Sequence, residues 1–111
     1  MAYDEALAAR VRALVGDEAA VAEKKMFGGL AFLVNGNMAV GVSGQGGLLV
    51  RADPEESASL VEKSQARYME MRGRSMPGWL RVDADRVEAD RELRAWVERG
   101  VSYARSLPPK T

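Results

Sequence analysis

Between Asp4 and Gly16 the apolar residues Leu7, Val11, Leu14 and Val15 recur at intervals of three and four. That spacing predicts a short amphipathic helix, capped by Asp4 and stopped at Gly16-Asp17. From Lys24 to Arg51 the period changes to two: Leu30, Phe32 and Val34, then Met38, Val40 and Val42, then Leu48 and Val50 all fall on even positions. A period of two places these side chains on one face of a β-sheet, so the segment reads as a four-strand antiparallel meander. Its turns are written in the sequence. Asn35-Gly36 supplies the left-handed residues of a tight hairpin, Ser43 to Gly47 a looser one, and Gly28-Gly29 a bend after a short first strand.

Asp53-Pro54-Glu55-Glu56 sets a cap, a proline at the first helical position and a capping-box glutamate, which predicts a second helix running to about Ser64. Tyr68-Met69 and Trp79 to Val82 read as two further strands joined by the connection Gly73 to Gly78. Leu93, Trp96, Val97, Val101 and Ala104 then return at helical spacing, and Pro108-Pro109 ends that last helix. The order helix, four strands, helix, two strands, helix contains no long crossover between neighbouring strands. It predicts an α+β fold over residues 1–111: a single two-layer domain with an antiparallel sheet and helices mainly on one face. The odd positions of the meander, Ala31, Leu33, Ala39, Gly41, Ser43 and Leu49, are small or apolar where a solvated face would carry charge. That face is expected to meet another surface, which makes a homodimer one expected assembly.

Composition narrows the range of functions. A chain of 111 residues with 47% apolar and 29% charged residues can bury roughly two-thirds of its unfolded surface around one core. It contains neither cysteine nor histidine. This removes Ser-His-Asp and Cys-His nucleophilic machinery and His/Cys zinc sites, so no catalytic residue, metal or cofactor is expected. The start Met-Ala-Tyr-Asp-Glu has no basic and apolar leader pattern, and the longest apolar run, Gly28 to Val34, is far short of the ~20 residues of a membrane helix. A cytoplasmic protein without membrane contact is expected.

Sixteen cations balance sixteen carboxylates, so any attraction to nucleic acid must come from a local patch. Residues 62–82 form such a patch, with five cations against two carboxylates. The stretch Gly41 to Gly46 resembles the start of a phosphate-binding loop, but Gly47 stands where lysine is required and a strand follows, so a hairpin loop is the better reading. The acidic run Asp83, Asp85, Glu88 and Asp90 lacks the ligand periodicity of a calcium loop and suits a helix N-terminus. Trp79 falls on the strand face opposite Leu80 and Val82, where it either packs or offers an aromatic surface to a partner. Lys24 and Lys25, adjacent on a strand, point to opposite faces; they serve either as edge-strand charges that discourage aggregation or as an anion contact. Arg72 and Arg74 flank Gly73 in a loop shaped by glycine and proline, where planar guanidinium forks could be held toward an anionic partner.

The run Glu23 to Gly36, EKKMFGGLAFLVNG, resembles the first signature of the TfoX/Sxy N-terminal domain family, and Arg74 to Trp79, RSMPGW, resembles its second. The opening MAYDE and the closing AWVER with SLPPK resemble standalone members of that family, and the resemblance spans essentially the whole chain. It implies an α+β domain with an antiparallel sheet and flanking helices. Full-length members that promote natural competence act as positive regulators together with a cyclic-AMP receptor protein, and carry an additional C-terminal helical domain. With its last residue at Thr111 this sequence lacks that second domain, and the resemblance is expected to be to the standalone form.

The combined expectation is a non-enzymatic regulatory or adaptor module that binds a protein partner, with Lys24, Lys25, Arg72, Arg74 and Trp79 as candidate contacts. The alternative is a weak, non-specific nucleic-acid-binding module built on the basic 63–81 hairpin, using Lys63, Arg67, Arg72, Arg74 and Arg81 with Tyr68 or Trp79 for stacking.

Overall fold

The computed structural model of the protein describes residues 3–16, 21–26, 28–44, 46–63, 66–71 and 73–108, without the side chains of Met26, Lys63, Met69 to Met71 and Arg74 to Pro77. Helix α1 spans Glu5–Val15; its cap is the one predicted, with the Asp4 carboxylate accepting from the Ala6 and Leu7 amides at 3.0 and 3.1 Å. Four strands follow, β1 (Val21–Met26), β2 (Gly29–Val34), β3 (Asn37–Val42) and β4 (Leu48–Arg51), then helix α2 (Pro54–Lys63). Strands β5 (Arg67–Met71) and β6 (Arg74–Val82), a short 3-10 turn and helix α3 (Asp90–Ser106) complete the chain. The Asp53 carboxylate caps α2 by accepting from the Glu55 amide at 2.8 Å.

All six strands form one antiparallel sheet in the order β1-β2-β3-β4-β6-β5. The second hairpin is therefore no separate unit: β6 docks against β4 and leaves β1 and β5 as the edges. Asn35 and Gly36, at φ 53° and 82°, form the two-residue turn between β2 and β3 that Asn-Gly predicts. The predicted loop Gly73 to Gly78 is instead a turn around Gly73 followed by strand, with Arg74 the first residue of β6. Pro77-Gly78-Trp79 falls where pairing with β5 jumps from Met69↔Met76 to Tyr68↔Leu80, and there β6 pairs on its other side through Arg51↔Trp79. Residues with strong turn preferences are thus absorbed by an irregularity inside a strand. Gly78, at φ 87°, brings its carbonyl to the Ala52 amide at 2.8 Å.

Cross-strand partners share a face, so the register assigns every strand residue to one side of the sheet. Leu30, Phe32, Val34, Val40, Val42, Leu48, Val50, Leu80 and Val82 join Leu7, Ala8, Val11 and Val15 of α1 and Leu93, Trp96, Val97, Val101 and Ala104 of α3 in one buried core. Leu60 and Val61 of α2 pack against the same core, so the three helices cover one face, as predicted. One position departs from the alternation. Phe32 pairs with Val40 but Leu33 pairs with Met38, so β3 carries one extra residue at Ala39, a β-bulge. The bulge reverses the predicted faces of two residues: Ala39 joins the core and Met38 turns to the opposite side.

Strand β1 is tied to α1 by Arg12, whose Nε and Nη2 donate to the Glu23 carboxylate at 2.6 and 2.8 Å. These hydrogen bonds outweigh partial desolvation and hold the Glu23 carboxyl below its ordinary value of 4.5. A carboxyl depressed in the folded state adds stability above its unfolded value and loses it as pH falls through the folded one. Glu23→Gln is expected to flatten the fall of stability on acidification below about pH 4.5, as followed by urea midpoints across that range.

Candidate functional site

The sheet face away from the helices carries a second, smaller apolar cluster of Ala31, Met38 and Leu49, with Leu33 and Trp79 half-buried beside it. Every member comes from a strand, and no described helix residue covers it. The cluster is largely closed by its own side chains. The Met38 methyl lies over Gly41, where a Cβ would stand 2.8 Å from it. Leu33 and Trp79 are the parts that remain open to solvent.

The candidate residues do not gather at one point. Lys24 pairs with Ala31 and so lies on the open face; Lys25 pairs with Leu30, which assigns it to the helix side at the same edge. Both are exposed, on an edge strand, where lysine opposes edge-to-edge pairing. Arg72 lies outside the described residues, and of Arg74 the backbone alone is described. Trp79 is on the open face, away from Leu80 and Val82, in an interior strand. In the basic hairpin, Arg67 pairs with the Asp83 carboxylate. Arg67 and Arg81 face each other across β5 and β6, and Arg81 has a partner of its own. Among the described residues this hairpin therefore presents no row of uncommitted cations.

Arg51 is a residue that sequence reading missed. It ends β4 beside Trp79, and its guanidinium carbon lies 4.5 Å from the Trp79 ring centroid and 5.5 Å from that of Tyr103 on α3. A cation held between two rings gains about 0.5–2 kcal/mol from each favourable contact. Its Nε is nevertheless buried with no hydrogen-bond partner, an arrangement that costs about 1–3 kcal/mol. The Arg51 guanidinium makes no ion pair or hydrogen bond with a described residue. The signal available in sequence was a lone arginine closing an apolar strand, which by itself looks like an ordinary solvated end.

Beyond Tyr103, an open groove of 570 Å³ runs between the start of α2 and α3, lined by Asp53, Glu56, Glu98, Arg99, Ser102 and Tyr103 among others. Three carboxylates against one guanidinium make it acidic. No group of histidine, cysteine or acidic residues suited to a metal ion occurs among the described residues, and none of their helices is long and apolar enough to cross a membrane.

The sheet order, the single helical layer and the two glycine-containing motifs define a small α+β domain with one open sheet face. The chain matches the TfoX N-terminal domain over residues 13–104, most of its length, and belongs to that family. No curated protein matches it.

Proposed function

We propose that the protein is a non-enzymatic regulatory or adaptor module of the cytoplasm that acts by binding a protein partner through the open face of its sheet. The observation that carries this reading is the pair of half-exposed apolar side chains Leu33 and Trp79, set over the buried cluster of Ala31, Met38 and Leu49 on a face no described helix covers. Solvated sheet faces alternate apolar with polar positions, and apolar patches on soluble proteins mark contacts. Membership of the TfoX N-terminal domain family supports a regulatory role. The absence of cysteine and histidine from the sequence supports the non-enzymatic part.

The test is affinity capture from bacterial lysate with the wild-type chain and with Leu33→Glu, which places a charge on the patch at a half-exposed position. Proteins retained by the wild type are expected to be lost from the variant, with far-UV circular dichroism and melting unchanged. Equal capture by both would remove the face from the reading. Sedimentation at micromolar concentration separates a second copy of the chain from a different protein as the occupant. Retention on heparin beyond physiological salt would shift the reading to the nucleic-acid module built on the basic 63–81 hairpin.

A further inference from the structure

Resting on that reading, we infer that Arg51 is the anchor of the docking face and that the partner is a protein segment carrying an aspartate or glutamate next to an apolar side chain. The Trp79 and Tyr103 rings hold the guanidinium at the end of β4, and Nε is its one nitrogen that is both buried and unpaired. The terminal pair of nitrogens therefore opens to solvent, with no acceptor among the described residues, in the planar geometry that takes a carboxylate through two parallel hydrogen bonds. Rings that fix the fork reduce the entropy lost when it binds.

Next to it on the same face lies the half-exposed Trp79, packed over the buried Met38 and Leu49, with the half-exposed Leu33 beyond them. A ligand that engages Arg51 thus meets apolar surface at once. Among the described residues Lys24 adds a cation at one flank, while Arg81 at the other already has a partner and the carboxylate of Asp83 is taken by Arg67. This complementarity selects an acidic partner and disfavours a second copy that would bring the same cations face to face. It also favours a peptide over a nucleic acid. A polyanion needs a row of cations along its backbone, whereas Arg51 is flanked by apolar residues on one side and by the acidic groove of Asp53, Glu56 and Glu98 on the other.

The experiment pans a displayed pool of random twelve-residue peptides with amidated C-termini on the immobilised full chain. Individual binders are then measured against the wild type, Arg51→Met, Arg51→Lys and Leu33→Glu, with melting of each variant recorded. The expected binders carry Asp or Glu beside an apolar residue. They are expected to lose about tenfold or more in affinity for Arg51→Met and to lose part of it for Arg51→Lys, which keeps the charge without the fork. Arg51→Met is expected to melt no lower than the wild type, because it keeps the stem between the rings and removes the unpaired Nε; a purely structural arginine would show the reverse. Binders that tolerate Arg51→Met but are lost with Leu33→Glu would overturn the carboxylate anchor and leave the docking face standing. Binders indifferent to both variants, or no binders at all, would overturn both. A labelled twenty-nucleotide thymidine strand that displaces the peptides and itself needs Arg51 would assign the fork to phosphate and overturn the peptide inference.

Discussion

Replacing Trp96 by alanine is expected to lower the stability of the protein by about 3–5 kcal/mol, the range for emptying a buried aromatic site. Trp96 lies on the buried stripe of α3 with Leu93, Val97, Val101 and Ala104, and is 9% exposed. Its ring bridges the helix to the sheet core and is itself covered by the Arg99 guanidinium at 5.3 Å. Small domains hold about 5–15 kcal/mol in total, so the loss would take a large share of the margin. Helix α3 lies over β2, β3 and β4 and also contacts α1, so a cavity beneath Trp96 loosens the joint on which the whole helical layer rests. Chemical denaturation should show a lower midpoint with an unchanged slope. An unchanged midpoint would mean that α3 does not need this docking. Trp79→Ala is the contrast: its ring is half-buried on the open face, and its removal should cost less stability while removing the aromatic surface beside Arg51.

The elements that could be read in the sequence are those fixed by local chemistry. Asp4 and Asp53 announce their helices because each side chain bonds amides two or three residues away, and Asn35-Gly36 announces its turn because both residues must adopt positive φ. The period-two pattern identified the core side of β2 and β4 for the same reason. Where the outcome depends on pairing between distant segments, local pattern failed. Ser75-Met76-Pro77-Gly78 reads as a loop, yet β6 continues through it because Trp79 pairs with Arg51 at the end of β4 and Gly78 accepts from Ala52 just beyond it. Met38 reads as core, yet the extra residue at Ala39 turns it outward, and a bulge leaves no mark in the spacing of apolar residues on its own strand.

The candidate site divides along the same line. Trp79 and the apolar odd positions were visible, since alternation alone places Ala31, Leu33 and Leu49 opposite the core. Arg51 was not, because its importance comes from Tyr103, 52 positions along the chain and brought to it by the docking of α3. The arginines singled out by local charge density proved less informative, as Arg67 is matched to Asp83 by the fold. Charge clustering in sequence records proximity along the chain, whereas the uncommitted cation is determined by proximity in space.

Gly100→Ala is expected to destabilise the protein by about 1–3 kcal/mol, the cost of overpacking a close contact, although the same exchange in an exposed helix interior gains close to 1 kcal/mol. Gly100 is buried in the middle of α3, where the helix crosses the sheet. A Cβ at this position would run into the Ala39 carbonyl oxygen, stand 3.0 Å from that carbonyl's carbon and lie 3.4 Å from Val50 Cγ1. The first two atoms belong to backbone and cannot turn aside as a flexible side chain would. The obstruction comes from the bulge itself, which brings the Ala39 backbone up to the helix, so the bulge in β3 and the glycine in α3 are two halves of one contact. Relief requires either lifting α3 from the sheet, which exposes the apolar surface around Trp96 and Val97, or straightening β3, which would turn Met38 back toward the core and strip the open face of its central side chain. The control is Ala95→Gly, at an exposed position one turn earlier in α3, which should cost about 1 kcal/mol through helix propensity alone. Opposite exchanges of the same two residues in one helix are thus both expected to lower the urea midpoint. A stabilised Gly100→Ala would show that the helix can move away from Ala39 without loss, and the close crossing would no longer explain why glycine stands there.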